Sequence, residues 1–138
     1  MKEELSLCSP LSAGRSQLAA AFFNEIADDA RARALSAGTE PAERVHPEVV
    51  AVMREVGLDL TPARPRLLTE SLARDAVLLV TMGCGEACPF VPGLRWTDWN
   101  LPEPKGQPLD EVRAIRDDIR RRVEALVAVN EWRPMPRP

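Results

Sequence analysis

The eight residues from Ala76 to Gly83 read AVLLVTMG, without a single charge. A strand open to water on one face alternates apolar and polar positions, so an unbroken apolar run of this length is a strand covered on both faces. Strands covered twice belong to parallel sheets flanked by helices, which makes the chain an α/β protein.

The remaining segments alternate as that architecture requires. ELSLC, ending at Cys8, is a short apolar strand followed by Ser, Pro and Gly. RSQLAAAFFNEIADDARAR, from Arg15, places Leu18, Phe22 and Ile26 at helical spacing. A second short strand is expected from Ala34, closing in a Gly-Thr turn at Gly38. Pro47 suits the first turn of a helix that stops before Gly57, and Thr69 caps a brief helix over TESLARD. Residues 83–106, rich in Gly, Pro, Cys and Trp, form a long loop that holds a short strand at LRWTDW. Leu109, Val112, Ile115, Ile119, Val123 and Leu126 then line one face of a last helix over about 109–129. The whole is expected to be a three-layer αβα sandwich on a small, about four-stranded parallel sheet. One domain spans residues 1–130, and 131–138 form a flexible tail.

Composition excludes several classes of function. The net charge is −3, and the arginines are interspersed with acids, which argues against a general nucleic-acid or anionic-membrane binder. No apolar run reaches the ~18 residues of a membrane span, and MKEEL does not open a signal peptide. A cytoplasmic protein is expected, where cysteines stay reduced and serve chemistry more often than structure. There are three: Cys8, Cys84 and Cys88.

The first and third strands should end at the same edge of the sheet, where open α/β sheets bind ligands. After the first comes CSPLSAGRS, a loop running into a helix start. Successive backbone N–H groups and the helix dipole make such a loop a seat for a tetrahedral oxyanion, here Ser12, Ala13, Gly14, Arg15 and Ser16. Arg15 offers a two-pronged cation, and Ser16 a hydroxyl for a loop thiolate or a cap. The plainer reading is a simple connection with Arg15 on the surface. After the third strand come Cys84 and Cys88, with three residues between them. With a single histidine in the chain, a four-ligand zinc site is not expected, so the alternatives are buried inert thiols or a thiol–disulfide relay. Glu103, between two prolines, is a candidate general acid, and Asp98 a second; either also reads as a solvated loop acid. Trp96 and Trp99 read as packing residues and His46 as the opening residue of a helix.

The stretches AGRSQLAAAFFN, SAGTEPAERVHPEVVAVMREVGLDL, LVTMGCGEACPFVPG and DWNLPEPKGQPLDEVRAIRDDI resemble, in order, the arsenate reductases built on the low-molecular-weight protein tyrosine phosphatase fold, in particular their actinobacterial-type branch. The resemblance covers about residues 4–129. It implies reduction of arsenate to arsenite by a cysteine relay. A loop cysteine six residues before the arginine attacks the bound arsenate, and an aspartate between prolines protonates the leaving oxygen. Further cysteines then close a disulfide. Arg15, Cys84 and Cys88 match that pattern, and Glu103 stands where it has aspartate. No bound cofactor is implied. The implied partners are an oxyanion (arsenate or phosphate) and an external thiol reductant of the thioredoxin or mycothiol/mycoredoxin type, and a homodimer is compatible with the resemblance.

The loop departs from the family's Cys-Val-His-Asn-Ala-Gly-Arg-Ser. Six residues before Arg15 stands Ser9, with Cys8 one position earlier, and Ser12 takes the place of the asparagine. Pro10 removes one N–H donor. Two assignments of the nucleophile therefore stand, Cys8 through a lengthened loop or Ser9 by direct replacement. Serine is un-ionised at pH 7 and cannot form a disulfide. The alternative to a reductase is thus a repurposed or catalytically impaired protein that binds an anion or a partner. If the first strand extends through both residues, alternation makes Cys8 and Ser9 face opposite ways.

Overall fold

The computed structural model describes residues 2–83 and 93–134. Four parallel strands form one sheet in the order β2-β1-β3-β4: β1 (Glu3–Cys8), β2 (Ala32–Ala37), β3 (Leu78–Thr81) and β4 (Arg95–Asp98). Every residue of β3 is buried, as its uncharged sequence requires. β4, at one edge, is largely exposed, and Trp96 on it is 61% accessible rather than packed.

Parallel register sets which side chains share a face. Leu5, Leu7, Leu78 and Val80 lie in the larger core with α1 (Arg15–Ile26), α2 (Pro47–Arg54) and α4 (Leu109–Val129). Cys8 and Leu79 lie in a smaller cluster with Ala37, Leu68 and Ala73, the last on α3 (Glu70–Arg74). Helices thus cover both faces of the sheet. The Thr69 hydroxyl accepts the Leu72 N–H at 3.0 Å, capping α3 as its sequence implies. α4 buries Val112, Ile115, Ile119, Val123 and Val127, while Leu109 at its start is exposed. Its Arg116 reaches across to α2, donating to the Val52 carbonyl and to Glu55, both at 2.9 Å. Hydrogen bonding from Arg113 and Arg116 holds the Glu55 carboxyl down at about 2. No helix among the described residues is long and apolar enough to cross a membrane.

Two boundaries differ from expectation. α1 stops at Ile26 instead of running on to Arg33. Ala27 is extended, and the Asp28 side chain accepts the Ala30 N–H in a turn. Ala32 and Arg33 join β2 because they pair with Glu3 and Glu4, and sheet pairing here overrides helical spacing. At the other terminus, Trp132 lies in the expected tail yet is 5% exposed. It stacks edge-on against Phe23 and donates from Nε1 to Glu3 at 2.8 Å. The packed domain therefore continues past residue 130.

Candidate oxyanion site

Ser9 continues β1 by one backbone hydrogen bond to Ala37, after which Pro10 to Gly14 turn into α1. Along this loop every carbonyl from Ser9 to Gly14 already has a donor. The Ser9 carbonyl takes the Ser12 N–H, Pro10 that of Glu40, Leu11 that of Ala42, Ala13 that of His46 and Gly14 that of Leu18. The Ser12 carbonyl takes Gln17 Nε2 at 2.8 Å. By contrast, the N–H groups of Leu11, Ala13, Gly14 and Arg15 have no acceptor among the described residues. No side chain caps α1. A loop with its acceptors spent and four of its backbone donors unspent, at a helix N-terminus, is electropositive.

Ser12 helps to shape it. Its φ of 50° is left-handed, unusual for a residue with a side chain. The conformation is held because its hydroxyl bonds Ser36 at 2.9 Å and accepts the Arg66 N–H at 3.3 Å. Ser36 in turn bonds Ser16 at 2.7 Å, and Ser16 bonds Ser9 at 2.7 Å. Four buried or half-buried hydroxyls thus form a chain beneath the loop. Ser36 was not among the residues expected here. It lies on β2 opposite Leu7, so the strand register brings it to the face that Ser9 also serves.

Arg15, 6% exposed, gives Nη1 to the Leu101 carbonyl at 2.9 Å and Nη2 to Glu103 at 2.8 Å, while its Nε is buried with no partner. Its guanidinium lies against Gly83, where an added Cβ would come 2.6 Å from Nη1. The Glu103 carboxylate also takes the Lys105 N–H at 3.2 Å and stands 3.7 Å from His46 Nε2. His46 thus borders the site, although its sequence context marks only a helix start. Asp98 accepts a hydrogen bond from the Thr81 hydroxyl at 2.6 Å, and it is Glu103 that pairs with Arg15.

Cys8 does not join this group. Alternation along β1 turns its side chain into the cluster of Ala37, Leu68, Ala73 and Leu79, while the Ser9 hydroxyl meets Ser16. Of the two assignments left open by the sequence, it is Ser9 whose side chain meets the loop's hydroxyls, while that of Cys8 lies in the apolar cluster. Burial pushes the Cys8 thiol up to about 11. The unfolded chain would release that proton from about pH 9, two units earlier, so the folded state binds more protons between the two values. The burial of a neutral thiol therefore contributes fully below about pH 9 and is lost as pH rises toward 11. Urea unfolding at pH 8 and pH 10.5 should show wild type losing about 1–2 kcal/mol more than Cys8→Ala over that interval. Equal losses in the two proteins would refute this. Cys84 and Cys88 lie outside the described residues.

Several known proteins resemble this chain in sequence and in fold. The chain is 33% identical to the glutaredoxin arsenate reductase of Synechocystis sp., over 93% of this chain and 98% of that one. The thioredoxin-dependent arsenate reductase of Corynebacterium glutamicum superposes with a TM-score of 0.80 at 31% identity, covering 94% of this chain and 62% of that one. The arsenate reductase of Archaeoglobus fulgidus gives 0.77 at 32% identity, over 91% and 99%. The family model described as low molecular weight phosphotyrosine protein phosphatase matches residues 7–132, and the chain belongs to that family.

Proposed function

We propose that this chain is an arsenate reductase-like protein, which takes a tetrahedral oxyanion into the loop over residues 9–16 and reduces arsenate to arsenite through its cysteine thiols. The observation that carries the oxyanion site is the set of unclaimed donors. Arg15 Nε is buried without a partner, next to a loop whose carbonyls are used while the amides of Leu11, Ala13, Gly14 and Arg15 are not. Buried donors left unpaired cost roughly 1–3 kcal/mol each, and an anion satisfies several at once. The arsenate reductases among the relatives support arsenate as that anion. Reduction takes two electrons from two thiols, which leave as one disulfide while an arsenate oxygen departs as water. The thioredoxin and glutaredoxin in the relatives' names support an external thiol reductant that reopens the disulfide.

A second reading rests on Ser9. Its hydroxyl holds the place beside Ser16 that the family's thiol takes, and the Cys8 thiol must leave an apolar cluster before it can attack. On that reading the chain binds the oxyanion and does not reduce it. A thiol count on fully reduced protein, before and after excess arsenate with phosphate as control, separates the two. Loss of two thiols that Cys8→Ser abolishes establishes reduction through Cys8. Loss that survives Cys8→Ser assigns it to Cys84 and Cys88. Three thiols remaining after long incubation refute reduction and leave the binding reading.

A further inference from the structure

His46 Nε2 is buried and has no hydrogen-bond partner, although the residue is only 6% exposed. A buried imidazole nitrogen left unpaired is costly, and such groups mark places where a partner arrives in another state. Glu103 Oε1 stands 3.7 Å from it, just too far for a hydrogen bond. The same carboxylate holds Arg15 through its other oxygen at 2.8 Å. Gly14 lies beneath all of them. A Cβ there would come 2.8 Å from Pro104, 3.3 Å from His46 Cδ2 and 3.4 Å from Glu103 Oε1. The absence of a side chain at Gly14 thus lets the loop, the acid and the imidazole lie close together.

Without an anion, Glu103 is itself the anion that Arg15 holds. An oxyanion entering the loop competes for the same guanidinium, and two negative groups on one fork repel each other. The carboxylate then needs another donor. Its Oε1 is already turned toward His46 Nε2, and a displacement of about 1 Å brings the two to hydrogen-bond distance. We infer that His46 is a positioning residue of this site, receiving the Glu103 carboxylate when a bound oxyanion takes Arg15. The inference rests on the oxyanion reading of the loop. It adds a residue whose role is to hold the acid in the occupied state and release Arg15 to the ligand.

The chain has one histidine, so the imidazole region of a 15N–1H spectrum reports His46 alone. Titrating the full chain with arsenate, and separately with inorganic phosphate, should move the Nε2 signal in step with the backbone amides of Gly14 and Ser16. In Glu103→Gln the loop amides should still move, with the Nε2 response much reduced. By calorimetry, His46→Ala should weaken anion binding about tenfold, the worth of one hydrogen bond to a charged group. His46→Gln, whose amide reaches a similar point, should recover most of that loss. A purely structural role would not be rescued in this way, and thermal unfolding of both variants controls for folding. Loop amides that move while Nε2 stays still would overturn the inference and leave the oxyanion site standing. Equal binding by wild type and His46→Ala would do the same. If neither anion moves any loop amide, the oxyanion reading falls and this inference with it.

Discussion

Ser9→Cys should create a thiol that iodoacetamide alkylates at pH 7 about a hundred times faster than Cys8. The Ser9 side chain points to Ser16 at the start of α1, in the loop of unclaimed amides. A thiol at a helix N-terminus near an arginine commonly has its pKa lowered to ~3.5–7.5, so about a quarter or more is thiolate at pH 7. At about 11, the Cys8 thiol is ionised to only ~1 part in 10⁴ at that pH. The lower intrinsic reactivity of a more acidic thiolate removes about half of that difference on a logarithmic scale, which leaves about two orders of magnitude. On the proposed reading, arsenate and phosphate occupy the same cradle and should protect the introduced thiol. Site-resolved mass spectrometry after timed alkylation reads both effects. If the introduced thiol labels as slowly as Cys8, the loop lacks the electropositive field described above.

Gly38→Ala should be the most damaging small substitution in the described fold. An added Cβ would sit 2.4 Å from the Ser9 carbonyl oxygen, 2.5 Å from that of Pro10 and 2.8 Å from the Ser12 nitrogen. All three are backbone atoms of the oxyanion loop, so no side chain can swing aside. Nor can Gly38 retreat easily, since its N–H donates to Arg66 and its carbonyl accepts from Leu68. The expected cost is about 3 kcal/mol, at the upper end for overpacking, with phosphate or arsenate binding lost at the same time. Urea unfolding and calorimetric titration test the two effects. Stability within about 0.5 kcal/mol of wild type together with intact binding would show that the loop is far more compliant than its contacts imply.

Much of this architecture was legible before any coordinates. The uncharged run through β3, the spacing along α4 and the cap at Thr69 each express a local rule, and each element appears where its rule places it. The short strand at Arg95–Asp98 was also legible, but the exposure of Trp96 was not, because an edge strand and an inner one differ only in their neighbours. α1 was read too long because Ala32 and Arg33 fit a helix as well as a strand, and only pairing with Glu3 and Glu4 decides between them. Trp132 precedes a proline-rich ending, Pro134, Pro136 and Pro138, that reads as a tail. Its burial depends on Phe23 and Glu3, more than a hundred residues earlier.

The loop shows the same division at a finer scale. Sequence alone determined that a Gly-Arg-Ser helix start follows a strand, that Ser9 stands six residues before Arg15, and that Cys8 and Ser9 must face opposite ways if β1 continues through both. Those are properties of chain order and of the two-residue period of a strand. Tertiary structure alone decided which face was which. It turned Cys8 into an apolar cluster and Ser9 onto a chain of hydroxyls completed by Ser36 from a neighbouring strand. It also brought Glu103 and His46 together beside Gly14, from segments 89 and 32 residues away along the chain. No local pattern encodes such meetings, because contacts between distant segments depend on how the layers pack and not on the residues beside them in sequence.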